Sequence, residues 1–155
     1  MGNKKIYNYN KQKLVPLVQQ QMALLSSYEG ATCKITKSAL CWSGKLKPTP
    51  LSKEYQAILT YTLREAPKVW IIGNELEKLD APDFPHNYKI DVEKKMVQIC
   101  LYRRQEFNVC KYLSQTIVPW AIEWLYFYEL WLVTGEWHGG GEHPAAGEEK
   151  IEIAE

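Results

Sequence analysis

The chain has 155 residues with 19 basic and 18 acidic side chains, four cysteines, six tryptophans and ten tyrosines. That length suits a single domain, able to bury roughly 68–70% of its unfolded surface, and the ordinary apolar content argues against wholesale disorder. The near-neutral charge gives no global field for nucleic acid or an anionic membrane, so neither is expected as a partner.

The first residues, MGNKKIYNYNKQK, hold no apolar h-region, which predicts no secretory signal. Ile6 stands where a myristoylation site needs Ser or Thr. Cys33, Cys41, Cys100 and Cys110 follow no tight spacing. Without a signal, reduced thiols and a cytoplasmic location are expected.

The spacing of Leu14, Leu17, Val18, Met22 and Leu25 predicts an amphipathic helix over residues 10–28 with those residues on its buried face. Asn10 would cap it, Pro16 would lie in or near the first turn, and Gly30 would end it. Thr32 to Leu46 is rich in β formers. Its apolar parity switches from Cys33, Ile35 and Ala39 to Leu40 and Trp42, which predicts a bulge or twist.

Tyr55, Ala57, Leu59, Tyr61 and Leu63 alternate with polar residues, so Glu54 to Arg64 reads as a half-buried antiparallel strand. Glu65-Ala66-Pro67 would connect it to a strand at Lys68 to Ile72, completing a meander. Asn74 to Lys95 shows no sustained period. A loop that long is usually functional or disordered. Met96 to Tyr102 follows as a short strand.

Thr116 is a candidate cap for a helix over IVPWAIEWLYFYELWLV, with Pro119 in its first turn and Trp120, Trp124, Phe127 and Trp131 on one face. A membrane span needs about 20 apolar residues. This run is shorter and carries Glu123 and Glu129, and a central carboxylate costs about 2.5–3.5 kcal/mol. No span is expected. Gly135 stops the helix. The Gly-rich EWHGGGEHP lets the chain double back over the core, and residues 145–155 form a small acidic tail.

Two stretches could carry chemistry. Cys100 stands at a strand end just after the long loop, where reactive side chains are commonly presented. A thiol there could hold an acyl group as a thioester, and it could equally be a core residue. In Pro85-His86-Asn87, Asn87 could stabilise an oxyanion, and His86 could orient it or move a proton; the same three residues make an ordinary turn. Cys33 and Cys41 read as small core residues, and Cys110 lies in a polar, exposable stretch. His138 and His143 come without HExxH or CxxC, so no metal is expected. The glycines follow a helix, whereas a phosphate cradle precedes one, so no nucleotide cofactor is expected.

This order of helix, meander, irregular loop, cysteine and helix resembles the ubiquitin-conjugating (UBC) fold, an α+β architecture. Ile99-Cys100-Leu101 is similar to the Ile-Cys-Leu around the nucleophile of many such enzymes. Pro85-His86-Asn87 looks like a permuted form of their His-Pro-Asn motif. Cys100-Leu101-Tyr102 together with WAIEWLYFYELWLVTGEWHGGGEHP resembles the prokaryotic UBC-like family of bacterial antiphage operons, notably the cyclic-oligonucleotide-based signalling systems (CBASS).

The resemblance covers roughly Thr32 to Pro144. It implies one UBC-like domain with a core over about 10–144, and an acyl carrier in antiviral defence. Cys100 would form a thioester with the C-terminus of a protein partner, a cGAS-like nucleotidyltransferase, and pass it to an acceptor. His86 and Asn87 carry over as supporting residues. The chain has no nucleotide fingerprint, so a separate activating enzyme would supply the activated carbonyl, unless the chain resembles the short CBASS version whose operon lacks one. The tripeptide order departs from His-Pro-Asn, and the gap from Asn87 to Cys100 is longer than in eukaryotic enzymes. That gap argues against Asn87 reaching an oxyanion and leaves His86 or backbone to serve. The alternatives are a catalytically silent UBC-fold binding module and a thiol hydrolase.

Overall fold

Pro16 decides where the first helix begins. The computed structural model describes residues 13–101 and 106–140. In it, α1 spans Leu17–Ser27, with Pro16 as the extended residue before the first turn. A proline disfavours helical backbone at the residue before it, and the Val15 N–H is already donated to the Val109 carbonyl at 2.9 Å. Residues 13–16 are therefore not helical, contrary to the expected earlier start; Asn10 lies outside the described residues. Gly30, at φ +78°, then turns the chain toward the sheet.

The buried face of α1 is not the predicted one. Leu14, Val18, Met22 and Leu25 are exposed, while Gln20 and Leu24 are fully buried. Gln20 can be buried because its amide is satisfied by backbone. Its Oε1 accepts the Leu113 N–H and its Nε2 donates to the Lys111 carbonyl, both at 2.9 Å. The helix is turned so that this amide, rather than the apolar spacing, faces inward.

Six antiparallel strands follow: β1 (Thr32–Thr36), β2 (Ala39–Leu46), β3 (Tyr55–Thr62), β4 (Glu65–Ile72), β5 (Asn87–Asp91) and β6 (Met96–Ile99). Their order in the sheet is β1-β2-β3-β4-β6-β5. The parity switch after Ile35 is a tight hairpin, not a bulge. Lys37 and Ser38 both take positive φ, at 49° and 67°, as a two-residue turn matched to strand twist requires. Leu40 and Trp42 thereby face the core, while Cys41 is exposed, against the expectation of a core residue. Cys33 is buried.

The meander continues as predicted through β3 and β4. β4 starts earlier than expected, at Glu65, because Thr62 Oγ1 accepts the N–H groups of Arg64 and Glu65 and tightens the turn. Pro67 lies where the β3–β4 register shifts, a place where no ladder donor is needed. The stretch from Asn74 to Lys95, read as irregular, contains β5. β5 pairs antiparallel with β6 as a hairpin, so β6 sits between β4 and β5. The hairpin turn is closed by Lys94 N–H to Asp91 Oδ1 at 3.0 Å, with Lys95 at φ 49°. Tyr102, the predicted end of the β6 strand, lies outside the described residues.

One face of the sheet is the core face. Leu40, Trp42, Tyr55, Ala57, Leu59, Val69, Ile71, Val97 and Ile99 form one cluster with Leu24 of α1 and with α2 (Ile117–Thr134). Trp124 and Trp131 of the predicted aromatic face are buried in it, with Trp120 and Phe127 half-buried. Thr116 flanks the helix, but its hydroxyl donates to the Tyr112 carbonyl instead of capping the first turn. Gly135 stops α2 in the left-handed conformation, donating to Trp131 O at 2.8 Å. Glu129 is held by the hydroxyls of Ser52 and Tyr55, which explains a carboxylate in so apolar a helix. Among the described residues, no helix is long and apolar enough to cross a membrane. The architecture is α+β, as the sequence predicts. The acidic tail, residues 145–155, lies outside the described residues.

Candidate functional site

The β5–β6 hairpin brings Pro85-His86-Asn87 to Cys100. Asn87 pairs with Ile99 across the ladder, with a register shift before Lys89. One step further out, the Cys100 N–H donates to the His86 carbonyl at 2.9 Å. The long gap in sequence between Asn87 and Cys100 is thus taken up by the hairpin, and chain separation is a poor guide to distance here. Cys100 itself is half-buried, just past the end of β6.

His86 is the hinge of this arrangement. It is only 5% exposed, and its backbone sits at φ +30°. A non-glycine residue there costs on the order of 1–3 kcal/mol and persists only where its surroundings impose it. They do so in three ways. The His86 carbonyl accepts a second hydrogen bond, from Trp124 Nε1 at 3.1 Å. The His86 ring lies 4.9 Å from the Trp137 ring, tilted by 33°. Asn87, the next residue, donates Nδ2–H to the Phe84 carbonyl at 3.1 Å.

Behind these residues stands an aromatic wall. Trp124 stacks on Tyr128 at 5.3 Å and Tyr128 on Trp131 at 6.2 Å. Phe84 packs against all three rings. Tyr128 also ties the preceding loop to α2, since its hydroxyl accepts the Glu77 N–H at 2.8 Å and donates to the Glu77 carbonyl at 3.0 Å. Burial pushes the Tyr128 phenol up to about 12, so it remains a donor at any ordinary pH. Leu76, Leu79 and Phe84 are buried. The loop expected to be irregular is therefore pinned along its length.

The segment after α2 folds back onto this wall. Gly135 reverses the chain, and Trp137 packs on Trp124 and Phe127 at 5.8 and 5.9 Å. The Trp137 indole N–H donates to the Gly140 carbonyl at 2.9 Å. A Cβ on Gly139 would lie 2.8–2.9 Å from the Trp137 and Phe127 rings, so this glycine is required for the close approach. Doubling back, expected from the glycines, is what happens at these positions.

The other candidates lie apart from this constellation. His138 is exposed, its Nε2 3.6 Å from a Glu136 carboxylate oxygen; His143 lies outside the described residues. Among the described residues no cluster of His, Cys, Asp and Glu could hold a metal. Cys110 is half-buried, and its N–H donates to Asn108 Oδ1. Cys33 and Cys41 lie on the β1–β2 hairpin. Sequence reasoning missed Trp124 and Trp137 as neighbours of His86. For Trp137 a signal existed, a tryptophan between Gly135 and the Gly139-Gly140 pair. For Trp124 there was none, since a helical tryptophan on an apolar face reads as core.

The arrangement holds the backbone of Cys100 in place, one residue past the ladder pair that Asn87 makes with Ile99. Residues 20–144 of the chain match the model of a family described as Type II CBASS E2 protein. No curated protein matches the chain.

Proposed function

This chain belongs to the Type II CBASS E2 family, E2-like proteins of CBASS antiphage defence that work with other CBASS proteins, and from that premise we propose that Cys100 is its acyl-carrying nucleophile. The observation that carries the reading is the hydrogen bond from Cys100 N–H to the His86 carbonyl at the end of the β5–β6 hairpin. It ties the backbone of Cys100 to the tripeptide for which the sequence suggested a supporting role in acyl transfer, which supports the reading.

In this reading a separate activating enzyme presents the C-terminal carboxyl of the partner as a thioester or acyl adenylate. The Cys100 thiol gives its proton to water, and Sγ attacks the carbonyl carbon. The tetrahedral intermediate collapses with expulsion of the activating enzyme's thiolate or of AMP. An acceptor amine then attacks the Cys100 thioester, loses a proton, and Cys100 leaves as thiolate. Asn87 supplies an amide N–H to the oxyanion in each step, the kind of donor a side-chain carboxamide offers. His86 acts chiefly through its carbonyl, which sets the position of Cys100. The partner whose C-terminus is carried is a cGAS-like nucleotidyltransferase.

The test combines the protein with an activating enzyme, ATP and a cGAS-like nucleotidyltransferase from a CBASS operon, and resolves the products without reductant. A thiol-sensitive adduct is expected with the native chain and none with Cys100→Ala. An adduct that survives in Cys100→Ala contradicts the assignment. Full signalling activity in Cys100→Ala points to the silent binding module, and release of a C-terminal peptide without an adduct points to the hydrolase.

A further inference from the structure

We propose that Trp137 is a positioning residue for Cys100, so that the Gly-rich segment after α2 forms part of the thiol site. The inference rests on the reading of Cys100 as nucleophile.

Three observations lead to it. His86 holds Cys100 through a backbone hydrogen bond, and it does so from a left-handed backbone conformation. A histidine relaxing to negative φ would swing its carbonyl away from the Cys100 N–H. What opposes that relaxation is contact on both sides of the residue. Trp124 Nε1 holds the carbonyl, and the Trp137 ring covers the imidazole. Trp137 in turn is not a loose surface residue. Trp124 and Phe127 pack on it, Gly140 O accepts its N–H, and Gly139 lacks the side chain that would displace it.

Gly135, Trp137, Gly139 and Gly140 together place one indole over His86 as well as over Trp124 and Phe127. A packing role alone would be met by any large apolar residue. A positioning role needs a flat ring, tilted by 33° against the imidazole, because only a planar face keeps the imidazole from rotating while leaving the carbonyl aimed at Cys100.

The test compares the native chain with Trp137→Ala, Trp137→Phe and Gly139→Ala, all checked for fold by circular dichroism. The first probe is a short peptide thioester, which acylates Cys100 directly and reads a maximal rate and a half-saturating concentration. The second is iodoacetamide, followed on the Cys100 peptide by mass spectrometry. Trp137→Ala is expected to lower the maximal acylation rate by about tenfold, as a small displacement of a reacting atom does, with half-saturation unchanged. Trp137→Phe restores most of the rate. Alkylation of Cys100 rises about threefold in Trp137→Ala, because local opening exposes a half-buried thiol. Gly139→Ala, whose Cβ displaces the Trp137 ring, follows Trp137→Ala in both readouts and decides the matter if Trp137→Ala does not fold.

An alkylation rate unchanged in the folded variants overturns the proposal whatever the acylation result. If the native chain takes no acyl group at Cys100, the nucleophile reading fails. The alkylation ratios still decide whether Trp137 positions the thiol.

Discussion

Each edge of the sheet ends in a hairpin that carries cysteine, and the two hairpins treat the thiol in opposite ways. At one edge, β1 and β2 pair without a shift from Thr32↔Ser43 to Thr36↔Ala39. Cys33 is buried within that ladder and its thiol is pushed up to about 11, by burial first and by neighbouring Cys41 second. At the other edge, β5 and β6 shift register beside Asn87, and Cys100 emerges past the last pair, half-buried, with its backbone pinned to a strained His86. The regular ladder buries the cysteine on its core face, Cys33, and leaves Cys41 exposed. The interrupted ladder, backed by an aromatic wall, presents Cys100.

Removing the wall should cost the β5–β6 edge the most. Trp124→Ala takes away a buried ring and the N–H on the His86 carbonyl. It is expected to destabilise the fold by about 3–5 kcal/mol, read by denaturant unfolding, whereas Cys33→Ala on the regular hairpin stays below half that loss. Equal losses at the two sites would erase the distinction.

A smaller effect isolates the chemistry. Asn87→Ala removes the amide proposed to stabilise the oxyanion, and transfer from Cys100 to an amine should slow by about 10²-fold. The β5–β6 pairing should persist, since its backbone bonds remain. Single-turnover transfer kinetics check this, and a native rate would leave backbone N–H groups as the stabilisers.

The smallest effect is a matter of pH. The thiolate is the reactive form of cysteine. A thiol raised to about 11 stays protonated at neutral pH, so alkylation of Cys33 should keep climbing about tenfold per pH unit up to about pH 10. The stability that its neutral form contributes is complete below the unfolded thiol's pKa and is lost as pH rises through about 11. A plateau for Cys33 at lower pH, read on its own peptide, would contradict the burial that sets this hairpin apart.

Much of the fold could be read from the residues because it rests on strong periodicity. β3 alternates at every position, and α2 has an apolar stripe closed by Gly135. What could not be read depends on polar groups that take core positions or on short edge elements. The face of α1 is set by Gln20, whose amide serves two backbone groups of the 111–113 segment, and no hydrophobic pattern points to a glutamine. β5 is a five-residue edge strand, NYKID, with Ile90 its one aliphatic residue. Its pairing is what joins Asn87 to Ile99. The hairpin at Lys37-Ser38 uses residues that seldom take positive φ, so its turn passed for a bulge and Cys41 for a core residue. At the site, Cys100 and Pro85-His86-Asn87 could be singled out from the sequence, but their meeting could not, because it depends on that unrecognised strand.

Everything proposed for the site depends on Cys100 carrying the acyl group. The most direct test is peptide mapping of the adduct formed with activating enzyme, ATP and nucleotidyltransferase, in the native chain and in Cys100→Ser. A thioester is expected on the Cys100 peptide of the native chain and a thiol-resistant oxyester on the same peptide of Cys100→Ser. An acyl group found instead on Cys110, Cys41 or a lysine, with the Cys100 peptide unmodified, would contradict it.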